Sequence, residues 1–296
     1  MYDICCIGHI TLDKVVTPQQ TSFMPGGTSF YFSSAAGNLD IEYLLITAIA
    51  EKELKFVEEL REKGINVCSF PSKHTVYFEN IYPDDSDHRI QKVSQKADPF
   101  TVEQIDNTAA RIFHLGPLLA DDFPVDIIKK LAQKSVVSLD VQGFLREVAN
   151  GDVVPVDWLY KKEALQYISI LKANEYEMEV LTGHSEIREG AKMLHDWGVK
   201  EVVVTLGSRG SVLYDGVNFY KIPAYLPSLI TDATGCGDTY MAGYLYQRVK
   251  GHTMQDAGNF AAAMATIKIE RSGPFTGTRE AVVALIDENK ISVLPD

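Results

Sequence analysis

The sequence predicts an α/β fold in which a mostly parallel sheet is covered by helices on both faces. Three observations support this prediction: a length of 296 residues, short apolar runs, and amphipathic stretches between those runs. The apolar runs indicate buried strands at 4–7, 44–48, 112–115, 136–139, 168–171 and 202–206. The amphipathic stretches indicate helices at 53–63, 124–133, 187–197 and 255–270. Because strands and helices alternate, consecutive strands are expected to lie parallel in a three-layer arrangement.

Two segments depart from this alternation and predict a small β lid. Residues 75–82 and 89–94 flank the polar turn Pro83–Asp87, which is the pattern of an antiparallel hairpin. Residues 13–23 are expected to supply neighbouring strands. The lid would then take its strands from about 13–25 and 75–95, within a single domain that spans 1–296.

The composition excludes several classes of protein. Apolar residues make up 46% of the chain and charged residues 23%, which excludes disordered and low-complexity architectures. The net charge of −12 makes nucleic acid and anionic membranes unsuitable partners. No apolar run approaches the ~18 residues of a membrane-spanning helix. Since the first residues also lack the basic region of a secretory signal, we expect a cytoplasmic protein with reduced cysteines.

The segment Asp232–Gly243 carries the clearest chemical signal. Gly235 and Gly237 let the backbone turn tightly before a helical stretch, and a helix N-terminus with unpaired amides attracts anions. Asp238 follows in the first helical turn, where a carboxylate can take a proton from an attacking hydroxyl. This combination suits phosphoryl transfer. From the residues alone, the alternative is an ordinary helix start with Asp238 as its cap.

This segment resembles the D-[TA]-x-G-[AC]-G-D signature of ribokinase-like (PfkB) carbohydrate kinases. The resemblance continues in order along nearly the whole chain. The other matching segments are 7–13, 25–27, 172–177 with 181–183, 205–210 and 271–274. The resemblance implies a three-layer ribokinase-like core with a small β lid, and an enzyme that uses ATP and Mg²⁺ to phosphorylate a small molecule.

The resemblance also implies roles for individual residues. Asp238 would be the catalytic base, and the amides of Gly235, Cys236 and Gly237 would hold the transferred phosphoryl group. Asn174 and Glu177 would orient Mg²⁺ through water, and Asp232 with Thr234 would hold a monovalent cation such as K⁺. ATP contacts are expected from Asn174, Thr205, Gly207, Ser208, Gly210 and Gly273. From the residues alone, the preferred interpretations are a capping box for Asn174 with Glu177 and a hairpin turn for 205–210.

The acceptor side of the site is expected to include Asp13, Gly26, Gly27, Gln142 and Arg146, together with the base. Residues 138–146 and the strand that begins at Arg89 are similar to the myo-inositol kinase branch of the family, so this polyol is the favoured acceptor. Ribose is disfavoured, because ribokinase has a Lys and an Asn where this chain has Thr28 and Tyr31.

Other acceptors and roles stay open at this point. A nucleoside kinase would use Phe30 or Tyr31 as an apolar wall for the base, unless these residues belong to the core. A phosphosugar kinase would use Arg89, Lys92 and Arg146 as cations. A non-catalytic member would bind a metabolite without turnover. Ala262 replaces the Asn with which the family usually contacts adenine, and the exposed edges of the lid predict a homodimer.

Overall fold

The computed structural model describes residues 1–18, 20–81 and 90–288. In chain order, the strands are β1 (Tyr2–Ile7), β2 (Thr11–Val16), β3 (Thr21–Gly26), β4 (Tyr43–Ile49), β5 (Asn66–Pro71), β6 (Val76–Ile81), β7 (Ile90–Gln95), β8 (Ala110–Leu115), β9 (Val136–Asp140), β10 (Arg146–Ala149), β11 (Asp152–Pro155), β12 (Ile170–Asn174), β13 (Glu201–Thr205), β14 (Ser211–Tyr214) and β15 (Phe219–Ile222). The helices are α1 (Thr28–Ala36), α2 (Lys55–Glu62), α3 (Val102–Ile105), α4 (Val125–Ala132), α5 (Lys161–Ala164), α6 (Glu175–Thr182), α7 (Ile187–Asp196), α8 (Cys236–Val249), α9 (Met254–Ile269) and α10 (Arg279–Glu288).

The larger sheet has the strand order β15-β14-β13-β12-β9-β8-β1-β4-β5. Pairing is parallel from β13 to β5, and β14 and β15 extend the sheet as an antiparallel edge. Each predicted buried strand belongs to this sheet. The strand expected at 168–171 begins later, at Ile170, because a 3₁₀ turn over Leu165–Tyr167 precedes it.

Helices cover both faces of the larger sheet, which confirms the predicted three-layer α/β/α class. On β1 the side chains alternate between two cores. Ile4 and Cys6 pack in the core that contains α1, α8 and α9. Cys5 and Ile7 pack in the core that contains α4, α6 and α7. Both thiols are buried and unpaired, as expected for two adjacent residues on a doubly covered strand.

The smaller sheet has the order β10-β11-β7-β6-β2-β3. The predicted hairpin is present as the antiparallel pair β6–β7, whereas the turn Pro83–Asp87 and Arg89 lie outside the described residues. The strands β10 and β11 were not predicted. They join through Asn150 and Gly151, which both have positive φ, as a two-residue hairpin turn requires. The Asn-Gly pair was a signal for this hairpin, but its strands are only four residues long.

Motif residues lie where the polypeptide leaves the parallel strands. Parallel strands bring their carboxyl ends to one edge of a sheet, where ligands of such folds bind. The ends of β9, β12 and β13 and the start of α8 define the region described next. No helix in the described part of the chain has the length and apolar character needed to cross a membrane.

Candidate active site

A buried ion-pair cluster lies at the ends of β9 and β12. The Lys172 Nζ lies 2.9 Å from Asp140 Oδ2 and 3.8 Å from Glu177 Oε2. Lys172 and Asp140 are partners in the parallel register of the two strands, and both are at most 5% exposed. Burial lowers the pKa of the Lys172 ammonium, but the charges of Asp140, Glu177 and Asp238 outweigh that effect and keep the pKa above its ordinary value.

Lys172 was not assigned a role from the sequence. It belongs to the matched segment 172–177, but its partners come from other elements. A lysine inside the apolar run Ile170–Ala173 was the available signal, because a charge on a doubly covered strand must find a counter-charge. A Cβ placed on Gly237 would lie 3.3 Å from the Lys172 Nζ, so this ammonium lies directly beside the glycine turn.

Asp238 belongs to the same cluster. Burial and repulsion from Asp140 raise the pKa of the Asp238 carboxyl to about 7. Lys172, a hydrogen bond with Thr28 and the charge of Arg146 act in the opposite direction. The carboxyl group therefore exchanges its proton near neutral pH, as a general base must. Three acidic side chains (Asp140, Glu177 and Asp238) and two basic ones (Lys172 and Arg146) therefore interact here.

The glycine turn before α8 leaves backbone amides unpaired, as an anion site requires, with one exception. Gly235 is the N-cap residue in a left-handed conformation, with φ +77°. The Cys236 amide, which was expected to hold a phosphoryl group, donates to the Ala233 carbonyl at 3.2 Å, so the turn itself uses this amide. Among the described residues, the amides of Gly235, Gly237 and Asp238 have no acceptor. Burial raises the pKa of the Cys236 thiol to about 11, so this thiol is unreactive.

Gly235 also touches Tyr31. A Cβ on Gly235 would collide with the Tyr31 ring. We expect Gly235→Ala to lower the free energy of unfolding by more than the ~1–2 kcal/mol of left-handed backbone strain, because the ring must also move. Urea unfolding measures this. Gly64→Ala is the matched control, since Gly64 has φ +83° and no atom within 4 Å of the added Cβ. Equal losses in the two variants would contradict the Tyr31 contact.

The acceptor residues predicted from the N-terminal motifs lie together. Asp13 on β2 accepts a hydrogen bond from the Thr11 hydroxyl at 2.5 Å. Gly26 is the register partner of Thr11, and a Cβ there would collide with the Asp13 carboxylate. Gly27, with φ +91°, is the N-cap of α1. The next residue, Thr28, hydrogen-bonds Asp238, so these residues reach the ion-pair cluster.

Gln142 and Arg146 also interact with members of the cluster. Both belong to the 3₁₀ turn and strand that follow β9. The Gln142 amide donates to Asp140 Oδ1 at 3.1 Å. The positive charge of Arg146 lowers the pKa of Asp238. Gln142 and Arg146 are both partly exposed, and the structure therefore leaves them accessible beside the buried pair.

Asn174 and Glu177 form a capping box at the start of α6. The Asn174 Oδ1 accepts the Glu177 amide at 2.8 Å, and the Glu177 Oε2 accepts the Asn174 amide at 2.7 Å. In the described structure no hydrogen bond uses Glu177 Oε1. One carboxylate oxygen suits Mg²⁺ that retains most of its water, and no group of three or more His, Cys, Asp or Glu side chains in the described residues forms a metal cage. The residues therefore fit Mg²⁺ held through water.

Thr205 and the glycine turn after it lie beside Asn174. Thr205 is the register partner of Asn174 on the neighbouring strand. The turn Gly207–Arg209 contains Ser208 and leads into the β13–β14 hairpin, as the hairpin interpretation requires. Gly210 has φ +85°, and its Cβ would collide with the backbone of β15. Arg209 pairs with Glu175 at the start of α6, which joins this turn to the capping box.

Asp232 connects the remaining two predicted segments. Its Oδ1 accepts the Thr234 amide at 2.9 Å, and its Oδ2 accepts the Gly273 amide at 3.4 Å. Gly273 is thus hydrogen-bonded to the loop that leads into α8. The Lys268 Nζ also lies 3.3 Å from Asp232 Oδ2, so a lysine ammonium already contacts the carboxylate that was expected to hold a monovalent cation.

Comparison with known proteins agrees with this architecture. The profile of the pfkB family of carbohydrate kinases matches residues 1–281. A cytidine kinase of Thermococcus kodakarensis is 26% identical over 293 residues, which cover 94% of this chain and 100% of the relative. A solved pyrophosphate-dependent kinase of the ribokinase family, in complex with a pyrophosphate analogue and myo-inositol, is 31% identical, with a TM-score of 0.85. That similarity covers 95% of this chain and 99% of the other.

A second solved structure supports the fold alone. Ribokinase of Arabidopsis thaliana, complexed with ribose and ATP, is 21% identical and has a TM-score of 0.77 over 96% of this chain and 98% of the other. The family profile covers every residue of the candidate site, because all of them lie within residues 1–281. This chain belongs to the pfkB family of carbohydrate kinases and is a phosphotransferase.

Proposed function

We propose that this enzyme transfers the γ-phosphoryl group of ATP to a hydroxyl of a polyol, with myo-inositol as the favoured acceptor. One observation carries the proposal: Asp238, whose pKa is about 7, directly follows the glycine turn and interacts with Thr28 and Arg146 beside the acceptor candidates. Arg146, Thr28 and Lys172 each lower the pKa of its carboxyl group, and the Lys172 ammonium lies beside Gly237 of the turn. A base, an anion site and a polyol-binding surface are thus combined.

In the proposed reaction the Asp238 carboxylate accepts the proton of the acceptor hydroxyl. The hydroxyl oxygen then forms a bond to the γ-phosphorus, and the bond between that phosphorus and the bridging β–γ oxygen breaks, which releases ADP. The free amides of Gly235 and Gly237 stabilise the negative charge on the transferred group. Mg²⁺, when bound through Glu177 and Asn174, would neutralise charge on the donor phosphates. Closure of the smaller sheet would exclude water from the transfer.

The acceptor proposal draws on the residues beside the base. The Gln142 side chain offers donors and an acceptor, and the Asp13 carboxylate accepts from hydroxyls, which together suit a neutral polyol. The solved relative that binds myo-inositol supports this acceptor. A nucleoside is the second candidate because a cytidine kinase is among the relatives. However, Phe30 and Tyr31 are at most 5% exposed, so neither provides the wall that was expected to stack on a base.

Pyrophosphate is the second candidate donor. Ala262 lies in α9 and is 6% exposed, so this position offers no polar side chain to adenine. The relative described as pyrophosphate-dependent uses a donor without a base. ATP and pyrophosphate present the same terminal phosphoryl group to the amides of the glycine turn. The two donors therefore differ in what they require outside that turn.

A matrix of donors and acceptors tests the proposal. Turnover is measured with Mg·ATP and with Mg·pyrophosphate against myo-inositol, ribose, fructose 6-phosphate and cytidine. Phosphorylation of myo-inositol with the highest kcat/KM is the expected result. Higher kcat/KM for cytidine or a sugar phosphate would overturn the acceptor proposal, and higher kcat/KM for pyrophosphate with myo-inositol would replace ATP as the donor.

The pKa of Asp238 predicts the pH dependence of the reaction. The carboxylate form is the active base, so kcat is expected to fall about tenfold per pH unit below pH 7 and to level off above it. A kcat–pH profile in buffers of constant ionic strength measures this. A profile that is flat between pH 5 and pH 7, over about two units below this inflection, would contradict a base with this pKa.

A further inference from the structure

A lysine side chain is completely buried beside the loop that leads into α8. Lys268 lies in the last turn of α9, and its side chain has no exposed area. The Nζ donates to the Asp232 carbonyl at 2.8 Å and lies 3.3 Å from Asp232 Oδ2. It also donates to the Arg271 carbonyl at 3.5 Å. Nothing in the proposed reaction assigns a role to this ammonium.

These contacts satisfy a buried charge completely. A lysine ammonium has three N–H donors, and it faces three oxygens here. A buried charge persists only where such partners compensate for lost water. The partners belong to two loops, 232–235 before α8 and 271–273 after α9. Lys268 therefore connects the end of α9 to the loop that carries the glycine turn, through its contacts with Asp232.

The Asp232 carboxylate is shared by both loops. Burial raises the pKa of Asp232, but the Thr234 hydrogen bonds and the Lys268 charge outweigh burial and keep the pKa below its ordinary value. Asp232 is thus a carboxylate at neutral pH. It orients the Thr234 and Gly273 amides at opposite oxygens. Loss of the neighbouring positive charge would leave a partly buried carboxylate without its counter-charge.

A monovalent metal ion does not fit among these oxygens. Such an ion needs several oxygen ligands, and the Asp232 carbonyl, Asp232 Oδ2 and the Arg271 carbonyl are already within 3.5 Å of the Lys268 Nζ. The remaining Asp232 oxygen, Oδ1, accepts the Thr234 amide. An ion bound to the same oxygens would lie against a buried ammonium of like charge, where salt screens little. The expectation of a K⁺ site at Asp232 and Thr234 therefore conflicts with the structure.

We propose that the Lys268 ammonium is a built-in cation that holds residues 232–237 in the geometry required by the donor phosphates, in place of a monovalent metal ion. Lys268 is a positioning residue, since it contacts the loop and not the reacting atoms. The donor part of this statement rests on the proposed function. The ion part rests only on Lys268 and its three oxygens.

The ion part is tested first, on the wild-type protein without substrates. Its Tm is measured in KCl, NaCl, NH₄Cl and choline chloride at equal ionic strength. Equal Tm values are expected, because an ion that bound the folded state would raise the Tm. A higher Tm in KCl than in choline chloride would overturn the proposal. This readout does not depend on which acceptor or donor the enzyme uses.

Lys268→Ala then tests the positioning role. The variant removes a propylammonium group, and we expect the Kd of Mg·ATP or Mg·pyrophosphate, measured by calorimetry, to rise about tenfold or more. Added n-propylammonium or K⁺ should restore part of the loss, whereas choline, which is too large, should not. Lys250→Ala is the matched control, because Lys250 Nζ donates to a carbonyl, that of Asp40, from an accessible position.

Each outcome either supports or overturns the positioning role of Lys268. Donor binding that is unchanged in a folded Lys268→Ala would overturn the positioning role. Weaker binding that no cation restores would show that the side chain fills space and does not supply charge, which would also overturn it. If Lys268→Ala does not fold, the wild-type Tm series alone decides the ion part, and Lys268→Arg decides the rest: retained donor affinity supports the role of charge, and lost affinity opposes it.

Discussion

Asp238→Asn is expected to lower kcat by about 10²- to 10⁴-fold, the usual effect of removing a general base. Asparagine retains the shape of the side chain but cannot accept the hydroxyl proton. Because the amides of Gly235 and Gly237 remain, the Kd of the donor should change little. Steady-state kinetics with the best acceptor and calorimetry with the donor measure the two quantities.

The same substitution should stabilise the folded protein at alkaline pH. The Asp238 carboxyl has a pKa of about 7 in the folded chain, against ~3.9 when unfolded. Between these two values the folded state binds more protons, so the stability associated with this group is greatest at low pH and is lost as the pH rises to 7. Because asparagine does not ionise, Asp238→Asn does not lose stability in this way as the pH rises. A catalytic group that reduces stability is common in active sites.

Asp256→Asn is the matched control. Asp256 is the third residue of α9, as Asp238 is the third residue of α8, and both lie in an acidic first helical turn. Asp256 is exposed and bonds only with the Thr253 cap among the described residues. Its substitution should leave kcat unchanged and lower stability slightly. Wild-type turnover in Asp238→Asn would remove this residue from the mechanism.

The parts of the fold that depend on local pattern were predictable. Each buried strand of the larger sheet is a short apolar run, because both faces of that sheet are covered. Gly235 and Gly27 were recognisable as turn residues, and both adopt positive φ where a side chain would collide with a neighbour. The capping box at Asn174 was predictable because both of its partners lie within four residues.

The parts that depend on tertiary pairing were not predictable in the same way. Lys172 needs Asp140 from another strand, and Lys268 needs Asp232, which lies 36 residues earlier. Neither pair has a sequence spacing that signals it. The motifs of the candidate site were therefore predictable from the sequence, whereas the ion pairs among its residues required the structure.

Lys172→Met is expected to destabilise the fold by about 3–5 kcal/mol, because it leaves Asp140 buried without its counter-charge. The Asp140 side chain is 3% exposed and cannot recover this loss through water. Urea unfolding measures the change. The variant should also shift the kcat–pH profile to higher pH, since Lys172 is one of the charges that lower the pKa of Asp238.

A second variant separates the two consequences. In Lys172→Met with Asp140→Asn, neither charge of the pair remains, so most of the lost stability should return. Asp140 also raises the pKa of Asp238, so its neutralisation should move the pH profile back toward the wild-type position. Recovery of both quantities would show that the pair sets the charge of the base as well as the stability of the strands. If stability returned while the pH profile of the single variant had never moved, Lys172 would be a structural residue whose charge does not reach Asp238.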